Sequence, residues 1–254
     1  MKKSNTAKRF LTPLLALSFW LLVWEITARI VGIEIILPSA SDVIRAFFKI
    51  IFTAHFYKTV LLSFLRIFIG FAAGVLTGVA LSLLTHYFPL THAIISPLMT
   101  VVRATPVASF IMVIWLMLGS AAAPTAITVL MVTPIIWQNL SNGFGAIDKE
   151  LNEVCEAYSL SPSKRFRILV APTLVGYLIP GMITSAGLAW KAGIAAEIIA
   201  YTSNSIGKEI FNAKNYLESA DMLAWTTVVV LISLIFEQVI SGLGRRFTQK
   251  NAIT

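Results

Sequence analysis

Apolar residues along this chain gather into runs too long for the core helices of a small soluble domain, separated by short polar or basic stretches. A helical run of about 20 apolar residues covers the hydrocarbon thickness of a bilayer. Six such runs are predicted to span, at 10–31, 60–84, 94–118, 121–142, 173–201 and 222–243. Between the first two, Leu37-Pro38-Ser39 opens an amphipathic pattern through Ile44, Phe47, Phe48 and Ile51, which predicts a helix lying at the external membrane surface. Between the fourth and fifth the pattern changes to a polar, basic helical hairpin, EVCEAYSLSPSKRFRILVAP over 153–172. Asp148 is placed to cap its start, with Glu150 in the first turn where the helix dipole favours negative charge. Leu151, Val154, Cys155 and Tyr158 then recur at i, i+3, i+4 and i+7 as one apolar stripe. Ser161-Pro162 reads as the cap and first residue of a second short helix, which Pro172 is expected to end.

The expected organisation is therefore all-α and integral to the membrane, with six transmembrane helices. A tail covers 1–9, the first transmembrane helix and the interfacial helix cover 10–59, and a five-helix core covers 60–243. The hairpin lies inside that core at 146–172, and a second tail covers 244–254. Composition agrees. Of 254 residues, 57% are hydrophobic and 13% charged, against about a quarter charged in soluble domains, and the mean hydropathy is +0.82. The first apolar run follows Lys2, Lys3, Lys8 and Arg9 as a signal peptide would. It is longer than a signal peptide's apolar region, carries Trp20 and Trp24, and lacks a small-residue cleavage site, so it is read as a retained helix.

An even number of spans with the N-terminus inside puts both termini and the hairpin in the cytoplasm. The positive-inside rule supports this through Lys2, Lys3, Lys8, Arg9, Lys149, Lys164, Arg165, Arg167, Arg245, Arg246 and Lys250. Fewer basic residues fall at external span ends: Arg29, Arg45, Lys49, Lys58, Lys208 and Lys214. The net charge of +8 is thus read as anchoring to lipid. No aromatic-basic recognition motif accompanies it, so no nucleic-acid partner is expected.

No chemistry of an enzyme is visible. The phosphate-binding pattern GxxxxGK[ST] is absent, since Gly207-Lys208 is followed by Glu209. His55, His86 and His92 show no metal-ligand spacing, and no Ser/His/Asp arrangement can be argued. The chain is expected to bind no cofactor or metal and to have no catalytic residue. What remains are charges inside the spans, each costing about 2.5–3.5 kcal/mol at a helix centre and so expected to face a partner or a wet cavity. Arg103 lies in Arg103-Ala-Thr105-Pro106, where the proline invites an irregular turn. Lys191 and Glu197 follow Trp190 in the fifth span on different sides of the helix. These charges either lock helices together or line a path for an anionic solute, with Arg103, Thr105, Pro106, Trp190, Lys191 and Glu197 as the candidate path. Arg66 and Glu25 are expected to snorkel to the interface. Gly70, Gly74 and Gly78 form a GxxxGxxxG ridge, read as internal helix packing rather than a dimer seam.

The hairpin resembles the cytoplasmic loop of ABC importer permeases, whose pattern is Glu-Ala-Ala, three residues, Gly, nine residues, Ile-x-Leu-Pro. Here the Glu falls on Glu153, the Ala positions on Val154 and Cys155, the Gly on Ser159, and the end on Leu169, Ala171 and Pro172. Leu37-Pro38-Ser39-Ala40, Ser63-Phe64-Leu65-Arg66 with Gly70, Arg103 to Pro106 with Ala108 and Trp115 to Gly119, and Gly187 to Glu197 resemble the nitrate/sulfonate/taurine subgroup. That resemblance implies a permease subunit of type I importer fold, working as two identical chains, with two cytoplasmic ATPase subunits and an external solute-binding protein. ATP and Mg would sit on the ATPases. The coupling residues would be Glu153, Val154, Cys155, Ala157, Tyr158, Ser159 and Leu160, seated in a groove on each ATPase. Nucleotide binding would draw the two hairpins together and switch the bundle between inward- and outward-facing states. The solute implied is a sulfonate, taurine, nitrate or similar anion, with a neutral pyrimidine- or riboflavin-like nutrient as the alternative. A further alternative is an ion-coupled secondary carrier using Glu197 or Lys191.

Overall fold

The computed structural model describes residues 4–251, which are helical almost throughout, with no β-strand among them. Helix α1 covers Ser4–Val31, α2 Ala40–Ile51, α3 Ala54–Tyr87, α4 Pro89–Ala104 and α5 Val107–Gly145. The hairpin follows as α6, Lys149–Ala157, and α7, Pro162–Arg165. Next come a π-helical turn over Phe166–Val170, α8 over Ala171–Ile199, α9 over Ile206–Asn215 and α10 over Ser219–Asn251. Four long apolar stretches have the length and hydropathy to cross a membrane: Ala54–Tyr87, Val107–Gly145, Pro162–Ile199 and Ser219–Gly242.

The third expected span, 94–118, is not one helix. It breaks at Thr105-Pro106, where α4 ends and α5 begins, because Pro106 has no N–H to continue the ladder. At 16 residues α4 reaches only about 24 Å, short of a full crossing. A second break separates the third and fourth expected spans at Gly119, whose φ of 78° belongs to glycine's permitted region. Helix α10 continues past 243 to Asn251, into the expected tail. Residues 1–3 and 252–254, the outer parts of the two expected tails, lie outside the described residues.

The centre of the fold is α5 held between α3 and α8. The glycine ridge of α3 accounts for one of those contacts. A Cβ on Gly70, Gly74 or Gly78 would stand 2.7 Å from the Cβ atoms of Thr128, Val132 and Ile136 respectively. Those three partners recur every fourth residue on α5, so ridge and ridge lie in register, and the glycines serve internal packing as expected. Aromatic rings then fill the gap to α10. Trp190 of α8 is buried and donates its Nε1 proton to the Val229 carbonyl at 2.9 Å. Phe236 stands among Phe64, Phe68 and Phe71.

The segment before α3 is tied to the rest of the bundle. Ser39 caps α2 by accepting from the Asp42 amide at 3.1 Å. Val43 and Ala46 of α2 bury against Ala224 of α10. Trp24 of α1 donates to the Pro38 carbonyl at 3.1 Å. Glu25 does not simply snorkel: it pairs with Arg29 at 2.7 Å and accepts the Ser41 amide at 3.1 Å.

Candidate functional site

The hairpin forms as its capping residues dictate. Asp148 accepts the amide protons of Glu150 and Leu151 at 2.8 and 3.2 Å, satisfying two of the donors that open α6. At the other end Ser159 takes φ 49°, the left-handed conformation usually given to glycine. The Ser159 amide donates to Glu156 and the Leu160 amide to Cys155, at 2.9 and 3.0 Å. This is the Schellman pattern, so serine in the glycine position keeps the turn. Glu156 and Arg165 then close the hairpin across its two arms at 3.2 Å.

The apolar stripe divides. Cys155 is buried and packs inward, whereas Leu151, Val154 and Tyr158 are 52%, 49% and 78% exposed. Glu153, Ala157 and Ser159 are exposed beside them, and Leu160 is half-buried. The seven expected coupling positions are thus on one short unit, with Cys155 as its one buried member. Phe166 and Ile168 on the second arm add further exposed apolar surface. The i, i+3, i+4, i+7 stripe of the first arm carries no sign of these two residues.

The second arm does not stop at Pro172. Helix runs without a gap from Pro162 to Ile199. The π turn makes this possible: the Ala171 amide donates to the Phe166 carbonyl, five residues back. That wider turn opens the ladder where the ring of Pro172 would otherwise strike the carbonyl four residues before it.

Within the spans, the six expected path residues separate into two groups. Glu197 is fully buried at the end of α8. Its Oε2 accepts the Ser63 hydroxyl proton at 2.8 Å and the Gly207 amide at 3.2 Å, and Arg66 Nη1 stands 3.5 Å from its Oε1. Ser63 in turn accepts the Ile206 amide at 2.9 Å. A carboxylate therefore sits at the N-terminus of α9, where orphan amides and the helix dipole favour it. Arg66 also donates to the carbonyls of Ser203 and Asn204 at 3.0 and 3.2 Å. The expectation that Arg66 snorkels is corrected: its guanidinium is spent on Glu197 and on the loop between α8 and α9. Trp190, buried against α10, likewise belongs to the packed interior.

Arg103 and Lys191 form the other group. Both are exposed, and neither has an ion-pair partner among the described residues. Thr105 is half-buried and its hydroxyl donates back to Val101 at 2.8 Å; Pro106 is exposed at the break. Val102 and Ala192, neighbours of the two cations, share one apolar cluster between α4, α5 and α8. Lys191 continues an exposed stripe on α8 through Pro180, Thr184 and Leu188, opposite the face packed on α3 and α5. Of the path residues, these two cations and the α4–α5 break face outward. Among the described residues, no cluster of His, Cys, Asp and Glu could hold a metal ion.

Such a chain, a helical membrane bundle with an exposed amphipathic hairpin between two crossings, has clear relatives. Residues 67–251 match the family described as binding-protein-dependent transport system inner membrane component. The chain belongs to that family, as a multi-pass membrane permease of the ABC importer kind, and its relatives include permeases named for nitrate and taurine. It is 26% identical to the nitrate import permease protein NrtB of Synechocystis sp., over 92% of this chain and 88% of that one. With the taurine transport system permease protein TauC of Escherichia coli it shares 23% identity, over 91% and 86% of the two chains. With the bicarbonate transport system permease protein CmpB of Synechococcus elongatus it shares 26%, over 75% and 68%. Solved structures agree on the fold. A crystal structure of an amino acid ABC transporter superposes with a TM-score of 0.60 at 14% identity, covering 77% of this chain and 93% of that one. An inward-facing structure of the MetNI methionine ABC transporter gives 0.53 at 16% identity with the same coverage.

Proposed function

We propose that this chain is the translocating subunit of an ATP-driven importer, moving a small anion into the cell by alternating access. The observation that carries this reading is the hairpin. Its outward apolar face, Leu151, Val154 and Tyr158, is exposed while Cys155 is buried. An exposed face of this kind on a short capped helix suits a partner groove. The partner is a cytoplasmic ATPase, one for each of two identical permease chains, with ATP and Mg bound there. No covalent chemistry falls to this chain. The orientation follows: the hairpin and both termini are cytoplasmic, and α2 and α9 face the external solute-binding protein.

Arg103 and Lys191 support an anionic solute. Unpaired cations on the outward face of span helices are costly against lipid, so they call for a wet path or an anion. The relatives are named for nitrate, taurine and bicarbonate, solutes that share an anionic oxygen group, carried in taurine beside an ammonium. The class proposed is a small oxyanion such as nitrate, bicarbonate or an organic sulfonate. An ion-coupled carrier is weighed against by Glu197, whose carboxylate is already engaged by Ser63, Gly207 and Arg66.

The test is co-purification. The tagged chain, expressed with the genes beside it, should bring down vanadate-sensitive ATP hydrolysis that rises when the binding protein and its solute are added. The Tyr158→Asp variant should fold and lose the ATPase. A variant that keeps its ATPase would remove the hairpin from the coupling path.

A further inference from the structure

A cavity of about 510 Å³ lies between the ends of α3 and α5 and the two arms of the hairpin. Lys149 and Asn152 of α6 and Arg165 of α7 give it a polar wall, and Tyr87, Phe144 and Phe166 an apolar one. His86 joins the two, its ring stacked on that of Phe144 with centroids 3.9 Å apart. No Asp or Glu lines the cavity.

The α6 wall is not the coupling stripe. Lys149 and Asn152 lie roughly 160° around the helix from Leu151, Val154 and Tyr158. A groove that takes the stripe therefore leaves the cavity side of α6 alone. The cations there are open. Lys149 is exposed and has no ion pair among the described residues. Arg165 gives Nη1 to Glu156 at 3.2 Å, and its side chain stays 38% exposed with two further guanidinium nitrogens as donors. Lys164 and Arg167, its neighbours in sequence, are exposed too, so the hairpin gathers four cations.

The cavity also sits at a particular depth. It lies where the crossings Ala54–Tyr87 and Val107–Gly145 end, the level at which hydrocarbon gives way to water. Tyr87 is exposed there, as a ring at headgroup level would be. Just beyond it α4 begins, and its Leu90, Ile94 and Leu98 recur every fourth residue as an exposed apolar track. Cations that only donate, an apolar wall beside them and an apolar track beyond suit a ligand with an anionic head and a hydrocarbon tail. Basic pockets between spans at the cytoplasmic surface take anionic lipid headgroups in this way. We propose that the cavity binds the phosphodiester headgroup of an anionic phospholipid, with Lys149 and Arg165 on the phosphate and the acyl chains along Leu90, Ile94 and Leu98. A soluble phosphate ester would use the same cations but leave the apolar wall and track bare. Which leaflet supplies the lipid rests on the orientation proposed above; the binding does not.

Native mass spectrometry of the delipidated full chain tests this. The probes are phosphatidylglycerol and phosphatidylcholine with identical acyl chains, and glycerol phosphate as the soluble ester. The first phosphatidylglycerol is expected to bind at least five-fold tighter than phosphatidylcholine. Lys149→Gln/Arg165→Gln should remove that preference, and Lys149→Gln alone should reduce it about two-fold. Lys149→Gln alters an exposed, unpaired side chain, so it stands as the test if the double variant fails to fold. Lys58→Gln/Lys214→Gln, at the other end of the bundle, should keep the preference. Equal binding of the two lipids, a preference unchanged in the folded Lys149 variants, or the same loss in Lys58→Gln/Lys214→Gln would each overturn the assignment. Displacement of phosphatidylglycerol by glycerol phosphate would overturn it in favour of a soluble phosphate ester. No ATPase is present, so failure of the coupling reading would not be mistaken for failure of this site.

Discussion

Arg66 Nη1 and Glu197 Oε1 stand 3.5 Å apart, joining α3 to the end of α8 across a fully buried carboxylate. Removing one partner of a buried pair strands the other, at a cost of about 3–5 kcal/mol. Glu197→Ala is therefore expected to lower the melting temperature of the detergent-purified chain sharply. Glu197→Gln keeps an oxygen for Ser63 and Gly207 and should cost clearly less. Equal melting of the two variants would show that charge and hydrogen bonds at this position count for little.

Gly74 faces Val132 with no room for a side chain. Gly74→Ala should destabilise by about 1–3 kcal/mol through overpacking. Pairing it with Val132→Ala should restore part of the loss, because the shortened partner makes space. The same double substitution behaving additively in thermal melting would deny the direct contact.

Ser159 holds a left-handed conformation that costs an L-residue about 1–2 kcal/mol. Ser159→Gly should relieve part of this and slow hydrogen exchange across α6, while Ser159→Val should speed it. Exchange insensitive to both changes would mean that the turn does not limit hairpin opening.

Arg103 and Lys191 should matter to transport more than to stability. The Arg103→Ala/Lys191→Ala chain is expected to melt near the wild type yet lose most solute uptake in vesicles loaded with ATP. Full uptake by this variant would take the anion argument from these cations.

Much of this architecture was legible because it is written locally. Apolar run lengths gave the long helices, Asp148 gave the start of α6, and the spacing of Gly70, Gly74 and Gly78 gave the close approach of α3 to α5. Other features depend on partners distant in sequence. Arg66 reads as an interfacial arginine until α8 brings Glu197 beside it, and the stripe through Cys155 shows no sign of which member turns inward. Pro172 misled for a different reason. A proline ends an α-helix only if the turn before it stays α-helical, and the five residues from Phe166 to Val170 do not.

That π turn sets how force must travel. Had Pro172 ended the second arm, the hairpin would hang on a joint and could swing without disturbing the bundle. Instead the arm that carries Arg165 is the same 38-residue helix that ends beside Glu197, a lever about 57 Å long. On the coupling proposed above, a tug on the hairpin would be carried to the far end of this helix, where Glu197 meets Ser63 of α3 and Gly207 at the start of α9.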